Sequence, residues 1–102
     1  MVPNIVEVKI RFFTSLREIV GKREETLTFP DSEKVTVDLV LKTLSAKYGK
    51  PFIDYVYDIT VGEPKNFLQF LINGTSTSTL KGLETELKDG AVLAILPPVG
   101  GG

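Results

Sequence analysis

The chain has 102 residues, 42% hydrophobic and 25% charged, with a formal net charge of -1. That describes one soluble globular domain, 1–102, able to bury roughly two-thirds of the surface its unfolded form exposes, without the basic excess that marks nucleic-acid binding. There is no cysteine and no histidine, which excludes disulfides, thiolate nucleophiles, Cys/His zinc sites and imidazole acid–base chemistry.

No apolar run is long enough to cross a bilayer, and no charged-apolar-small leader opens the chain, so a cytoplasmic location is expected. The stretch IVEVKIRFF alternates. Val8, Ile10 and Phe12 fall on one face of a half-buried strand, and Lys9, Arg11 and Phe13 on the other. TSLREIVGK predicts one or two helical turns from Ser15, stopped by Gly21. EETLTF predicts a second strand with Leu27 and Phe29 inward, ended by Pro30–Asp31 and close enough to the first to pair antiparallel.

TVDLVLKTLSAKYG carries the strongest helix signal. Thr36 can cap its N-terminus, and Asp38 suits its first turn. Val37, Val40, Leu41, Leu44 and Tyr48 form one apolar stripe. Gly49 ends the helix, and Pro51 is expected to block its continuation. In residues 50–66, Phe52, Ile53, Val56 and Tyr57 suit a short amphipathic turn, with a loop at Gly62 and Pro64. FLQFLI reads as a strand, and Asn73–Gly74 as a tight turn. STSTLKGLETELKDG then holds a weak strand and a helical turn carrying Leu80, Leu83 and Leu87. Asp89–Gly90 turns the chain into AVLAILP, the last strand.

One good helix cannot cover both faces of a sheet. The expectation is therefore an α+β fold: a mixed sheet of about five strands packed on one main helix. The last strand lies beside the first and parallel to it, which the intervening helix permits. That is the β-grasp, or ubiquitin-like, arrangement, and it projects residues 97–102 from the end of a central strand.

This tail, PPVGGG, is the first candidate site. Pro97 and Pro98 cannot donate to a ladder, and they stiffen the exit. Gly100, Gly101 and Gly102 lack a Cβ and form a thin, flexible end. The five residues from Pro98 to Gly102 reach at most about 18 Å, enough to pass a narrow channel and deliver a carboxylate to a partner's active site. The plain alternative is a frayed terminus. The second candidate is apolar side chains on a polar face. If Leu93 and Ile95 point inward, Ala94 and Leu96 point outward beside Phe13, as a docking surface would; alternatively, residues 50–66 fold over them.

Other patterns carry less. Gly21–Lys22 is no phosphate loop, because Arg23 stands where Ser or Thr is needed and Leu16 where the first glycine belongs. Asn73–Gly74–Thr75 matches a glycosylation sequon, but a hairpin turn explains it. Asp31, Glu33, Asp38 and the acids of LETELKD read as solvated surface, and TSTST as an exposed strand.

VKIRFFTSLREIVGK near the start and LKDGAVLAILPPVGGG at the end resemble the small, sulfur-carrying subunit of molybdopterin synthase. That family pairs two Phe on its first strand, follows them with an RELVG-like turn, leads into its last strand through L-x-DGDEV, and ends in PPVxGG. The resemblance spans essentially the whole chain, and Gly100 departs from it by replacing the more usual Thr. It implies that Gly102 is adenylated by a ubiquitin-activator-like enzyme that uses ATP, then converted to a thiocarboxylate. The sulfur then passes to a pterin precursor inside the large synthase subunit, forming the dithiolene that binds molybdenum or tungsten.

By the same resemblance Gly101 completes the di-glycine, Pro97, Pro98, Val99 and Gly100 set the tail's exit, and Phe13 and Leu96 contact partners. The resemblance also implies a chain that binds no cofactor or metal of its own. Such a chain is not catalytic alone, since the large subunit supplies the catalytic groups. Carriers in thiamine synthesis share the fold and the final Gly-Gly but usually lack PPV. Archaeal relatives also attach to lysines as ubiquitin-like modifiers, which this sequence equally permits. A binding module with an inert tail is the third reading.

Overall fold

The computed structural model describes residues 4–65 and 67–97. Strand β1, Ile5–Phe12, places Val8, Ile10 and Phe12 in the core and Lys9 and Arg11 outside, as its alternation requires. Helix α1, Thr14–Val20, follows. Seven residues are too few for a helix to stand alone, and this one is held by burial of Leu16 and Val20. It ends where Gly21, at φ 80°, donates its N–H to the Arg17 carbonyl at 2.9 Å; that left-handed backbone suits a residue with no Cβ. Strand β2, Glu24–Pro30, returns antiparallel to β1, with Val8 opposite Leu27.

Helix α2, Val37–Tyr48, is capped as predicted: the Thr36 hydroxyl oxygen accepts from the Leu39 N–H at 3.2 Å. Val37, Val40, Leu41 and Leu44 are fully buried. Gly49 then redirects the chain into a third helix, α3, Lys50–Val56. Pro51 therefore does more than block α2. It sits in the first turn of α3, where a missing N–H costs nothing. The expected amphipathic turn is this helix, with Phe52 and Val56 in the core.

The rest of 50–66 is not a plain loop. Strands β3, Tyr57–Asp58, and β4, Glu63–Pro64, form a two-stranded antiparallel ribbon. Strand β5 is shorter than FLQFLI, running Gln69–Ile72. Asn73 at φ 50° and Gly74 at φ 87° make the tight turn into β6, Thr75–Ser76. Thr77–Thr79 and Gly82–Glu84 are single 3-10 turns. This breaks the helical spacing expected of the three leucines: Leu87 is buried and Leu83 half-buried, but Leu80 stands 48% exposed.

Strand β7, Ala91–Leu96, completes the sheet. Among the described residues the order is β2-β1-β7-β5-β6. The pairing of β1 with β7 is parallel, Phe12 beside Ile95, and that of β5 with β7 antiparallel, Gln69 opposite Leu96. The buried side chains of α1, α2 and α3 join those of the sheet's inner face in one cluster. The fold is the α+β β-grasp, with α2 as the main helix, α3 packed against it and α1 against α3.

Candidate functional site

The site is the end of β7. Leu93 and Ile95 are buried, at 0% and 1% exposure, while Val92, Ala94 and Leu96 alternate with them and are half-buried. On the outward face Ala94 lies between Arg11 of β1 and Leu71 of β5, which is also half-buried. An apolar row thus crosses the middle of a face whose β1 side is charged. Lys9 Nζ and Arg11 Nε stand 3.7 and 3.9 Å from the Glu24 carboxylate, weak exposed pairs.

Phe13 is not a strand residue. It follows the last residue of β1 in extended conformation, φ -127° and ψ 149°, and sits at the N-terminal cap of α1. It is half-buried rather than fully outward. It succeeds Phe12 as Leu96 succeeds Ile95, so both lie at the same end of the parallel pair. Pro97, half-buried, follows directly. Pro98, Val99, Gly100, Gly101 and Gly102 lie outside the described residues. Residues 50–58 do not form a cover for the outward row, since α3 buries Phe52 and Val56 in the core on the other side of the sheet.

The described residues supply little chemistry of their own at this end. Among them, no group of three His, Cys, Asp or Glu side chains stands close enough to hold a metal ion. The most perturbed acid lies elsewhere. Glu25 of β2 faces inward in line with Leu27 and Phe29 and is 7% exposed. Its carboxylate accepts from Lys47 Nζ and the Tyr48 hydroxyl, and Lys22 Nζ stands 3.6 Å away. Burial pushes the Glu25 carboxyl up, but the Lys47 and Tyr48 hydrogen bonds and the two ammonium charges outweigh it, leaving it below its ordinary value. Burial and the bond to Glu25 push the Tyr48 phenol up to about 12. The cluster fastens β2 to the end of α2. The sequence reading passed over Glu25. The alternation through 25, 27 and 29 was the available signal.

A parallel β1–β7 pair at the centre of a mixed sheet, packed on one main helix, defines a ubiquitin-like β-grasp protein. The model of the ThiS family matches residues 10–102. The chain belongs to that family, among the ubiquitin-like sulfur carriers and modifiers. It is 34% identical over 97 residues to Small archaeal modifier protein 3 of Haloferax volcanii, covering 95% of this chain and 100% of the relative. The solution structure of small archaeal modifier protein 1 from Methanosarcina acetivorans is 37% identical, with a TM-score of 0.75, covering 97% of this chain and 99% of that one. A chain in the crystal structure of the Amycolatopsis orientalis BexX/CysO complex is 26% identical, with a TM-score of 0.70, covering 93% of this chain and 99% of that one.

Proposed function

We propose that this protein is a carboxyl-terminal sulfur carrier that acts in the cytoplasm as the small subunit of molybdopterin synthase. The Gly102 carboxylate attacks the α-phosphorus of ATP on an activating enzyme, and pyrophosphate leaves. A sulfide-level sulfur then attacks the acyl carbon of the adenylate, and AMP leaves with the electron pair. The resulting thiocarboxylate enters the large synthase subunit and supplies sulfur for the dithiolene. A carboxylate is a poor electrophile, and AMP corrects that as a leaving group. The terminal sulfur is then nucleophilic with no cysteine in the chain. The carrier contributes positioning.

One observation carries this reading: the central strand β7 ends beside the outward apolar row and hands the chain to Pro97 there, so a partner can grip a rigid sheet and the root of the tail together. The end motifs that resemble the synthase subunit point to the pterin pathway. A second reading is favoured by the Haloferax modifier, which aligns with 95% of this chain. In that case a lysine amine of a target protein displaces AMP and forms an isopeptide bond.

Both uses share the adenylation step, and an experiment in cells separates them. Affinity-tagged chain is recovered from wild-type cells and from cells carrying the Gly102 deletion. A stable complex with the synthase large subunit and no conjugates supports sulfur carriage for molybdopterin. High-mass conjugates that vanish with Gly102 support the modifier. Unchanged adenylate formation after the deletion, read by pyrophosphate exchange, refutes both.

A further inference from the structure

The β3–β4 ribbon and the turn after it display apolar side chains. Ile59 is 79% exposed, Val61 65% and Phe67 46%. A single exposed apolar residue needs no explanation. These are not scattered singly: Val61 and Phe67 line one depression of about 480 Å³ with Asp58, Glu63, Pro64 and Lys65. The ribbon is also well fastened. The Asp58 carboxylate accepts from the Thr60 N–H at 3.0 Å and its hydroxyl at 2.6 Å, and the Asp58 carbonyl accepts from Gly62 at 2.8 Å. At the ribbon's root, the Lys65 N–H donates to the Val56 carbonyl at 2.7 Å, and Lys65 Nζ to the Asp54 carbonyl at 2.8 Å. A surface ordered before binding loses less entropy on binding.

Its position gives this surface a meaning. Gln69 opposes Leu96 at the last rung between β5 and β7. Phe67 precedes Gln69 by two, so it lies just past that rung, on the side where Pro97 leaves. Phe67 stands outside the strand: the Leu68 N–H donates to the Lys65 carbonyl at 3.2 Å, and this turn holds the exposed Phe67 ring with its centroid 5.8 Å from Lys65 Nζ, beside the ribbon. Phe13 stands at the same end of the sheet across β7. The chain therefore leaves the fold between two apolar flanks, Phe13 with Leu96 on one side and Phe67 with Val61 on the other. The five residues beyond Pro97 span at most about 18 Å. Any protein that encloses the chain's last glycine must come within that distance of the sheet, so it meets what borders the root of the tail.

We infer that the β3–β4 ribbon is the second half of the docking surface for the enzyme that activates the carboxyl terminus. This rests on the function proposed above. The partner seats Val61 and Phe67 in an apolar pocket on one side of its channel and Phe13 with Leu96 on the other. The ribbon's depression carries two carboxylates, Asp58 and Glu63, against one ammonium, Lys65, so the rim of that pocket is basic. A second copy of this chain seated there would cover the root of its own tail, which the activated state must leave free.

The test is calorimetric titration of the full-length chain into its adenylating enzyme, with thermal melts of each variant. The double variant Val61→Ser, Phe67→Ser should bind at least tenfold more weakly and melt within a few degrees of the wild type. Val61→Ser alone, at a side chain 65% exposed with little packing to lose, should retain the fold and weaken binding by a smaller factor. Phe13→Ala is measured in parallel. If it weakens binding while both ribbon variants bind as the wild type does, the ribbon inference is overturned and the proposed function stands. If the wild type itself is neither bound nor adenylated, the proposed function fails first. Sedimentation showing that the wild type dimerises and the double variant does not, with enzyme affinity unchanged, assigns the ribbon to a second copy and overturns the inference. So would shifts of the Val61 methyl resonances in the free protein on deleting 98–102, if the ribbon variants left enzyme affinity unchanged, because the ribbon would then hold the tail itself.

Discussion

Replacing Glu25 by Gln tests the most heavily determined polar contact in the fold. The side chain is 5% exposed and is met by Lys47, Tyr48 and Lys22. Gln has nearly the same shape and can still accept from the Tyr48 hydroxyl. What it loses is charge. Hydrogen bonds to a charged group contribute about 1.5–3 kcal/mol, against about 0.5–1.5 for neutral ones. Lys47 and Lys22 are 50% and 46% exposed, so both regain water and offset part of the loss. The net cost at pH 7 is about 1–2 kcal/mol, or about 5–12 °C in Tm for a domain of this size. The pH dependence fixes the sign. The folded Glu25 carboxyl titrates below 4.5, so its contribution is complete above the unfolded value and disappears as pH falls through the lower folded one. Urea denaturation of both proteins from pH 7 down to about pH 2 should show curves that converge below the ordinary carboxylate range. Equal stability at pH 7, or a gap that persists undiminished into acid, would refute the account of this cluster.

The other predictions follow from the same surface and core. Phe13→Ala should weaken binding to the activating enzyme at least tenfold, the cost of an aromatic anchor being commonly about 2 kcal/mol. Its half-buried position limits the loss of fold stability to about 1 kcal/mol, and titration calorimetry with melts reads both. Replacing Gly101 by Trp should abolish adenylation and leave Tm unchanged; a parallel loss of Tm would show the tail to be packed. Leu87→Ala should cost about 2–5 kcal/mol, whereas Leu80→Ser, at a side chain 48% exposed, should change stability by less than about 0.5 kcal/mol; chemical denaturation of the pair separates the two leucines.

Where hydrophobic period and element length agreed, the sequence was legible. Val8, Ile10 and Phe12 alternate over a full strand, and Val37, Val40, Leu41 and Leu44 repeat over a full helix, so β1, α2 and the β-grasp arrangement could be read directly. The ribbon could not, because strands of two residues, Tyr57–Asp58 and Glu63–Pro64, are too short to show a period. Pro51 was read only as a stop, although a proline is equally at home in a first helical turn. Leu80, Leu83 and Leu87 have helical spacing, yet the backbone there makes single 3-10 turns that point Leu80 to solvent. Glu25 lies on an inward position of an alternating strand, but its partners Lys47 and Tyr48 are 22 and 23 residues away, a separation no local pattern encodes. Phe13 and Leu96 could be placed at one end of the sheet because parallel pairing of the first and last strands sets their register.

The central claim is that the chemistry sits at Gly102. The direct measurement is the intact mass of the chain after incubation with its adenylating enzyme, ATP and a sulfide source, followed by fragmentation. One oxygen-to-sulfur exchange, mapped to Gly102 and absent without ATP, is the predicted result. Sulfur on any side chain, or no exchange under conditions that load another carrier of the family, would contradict it.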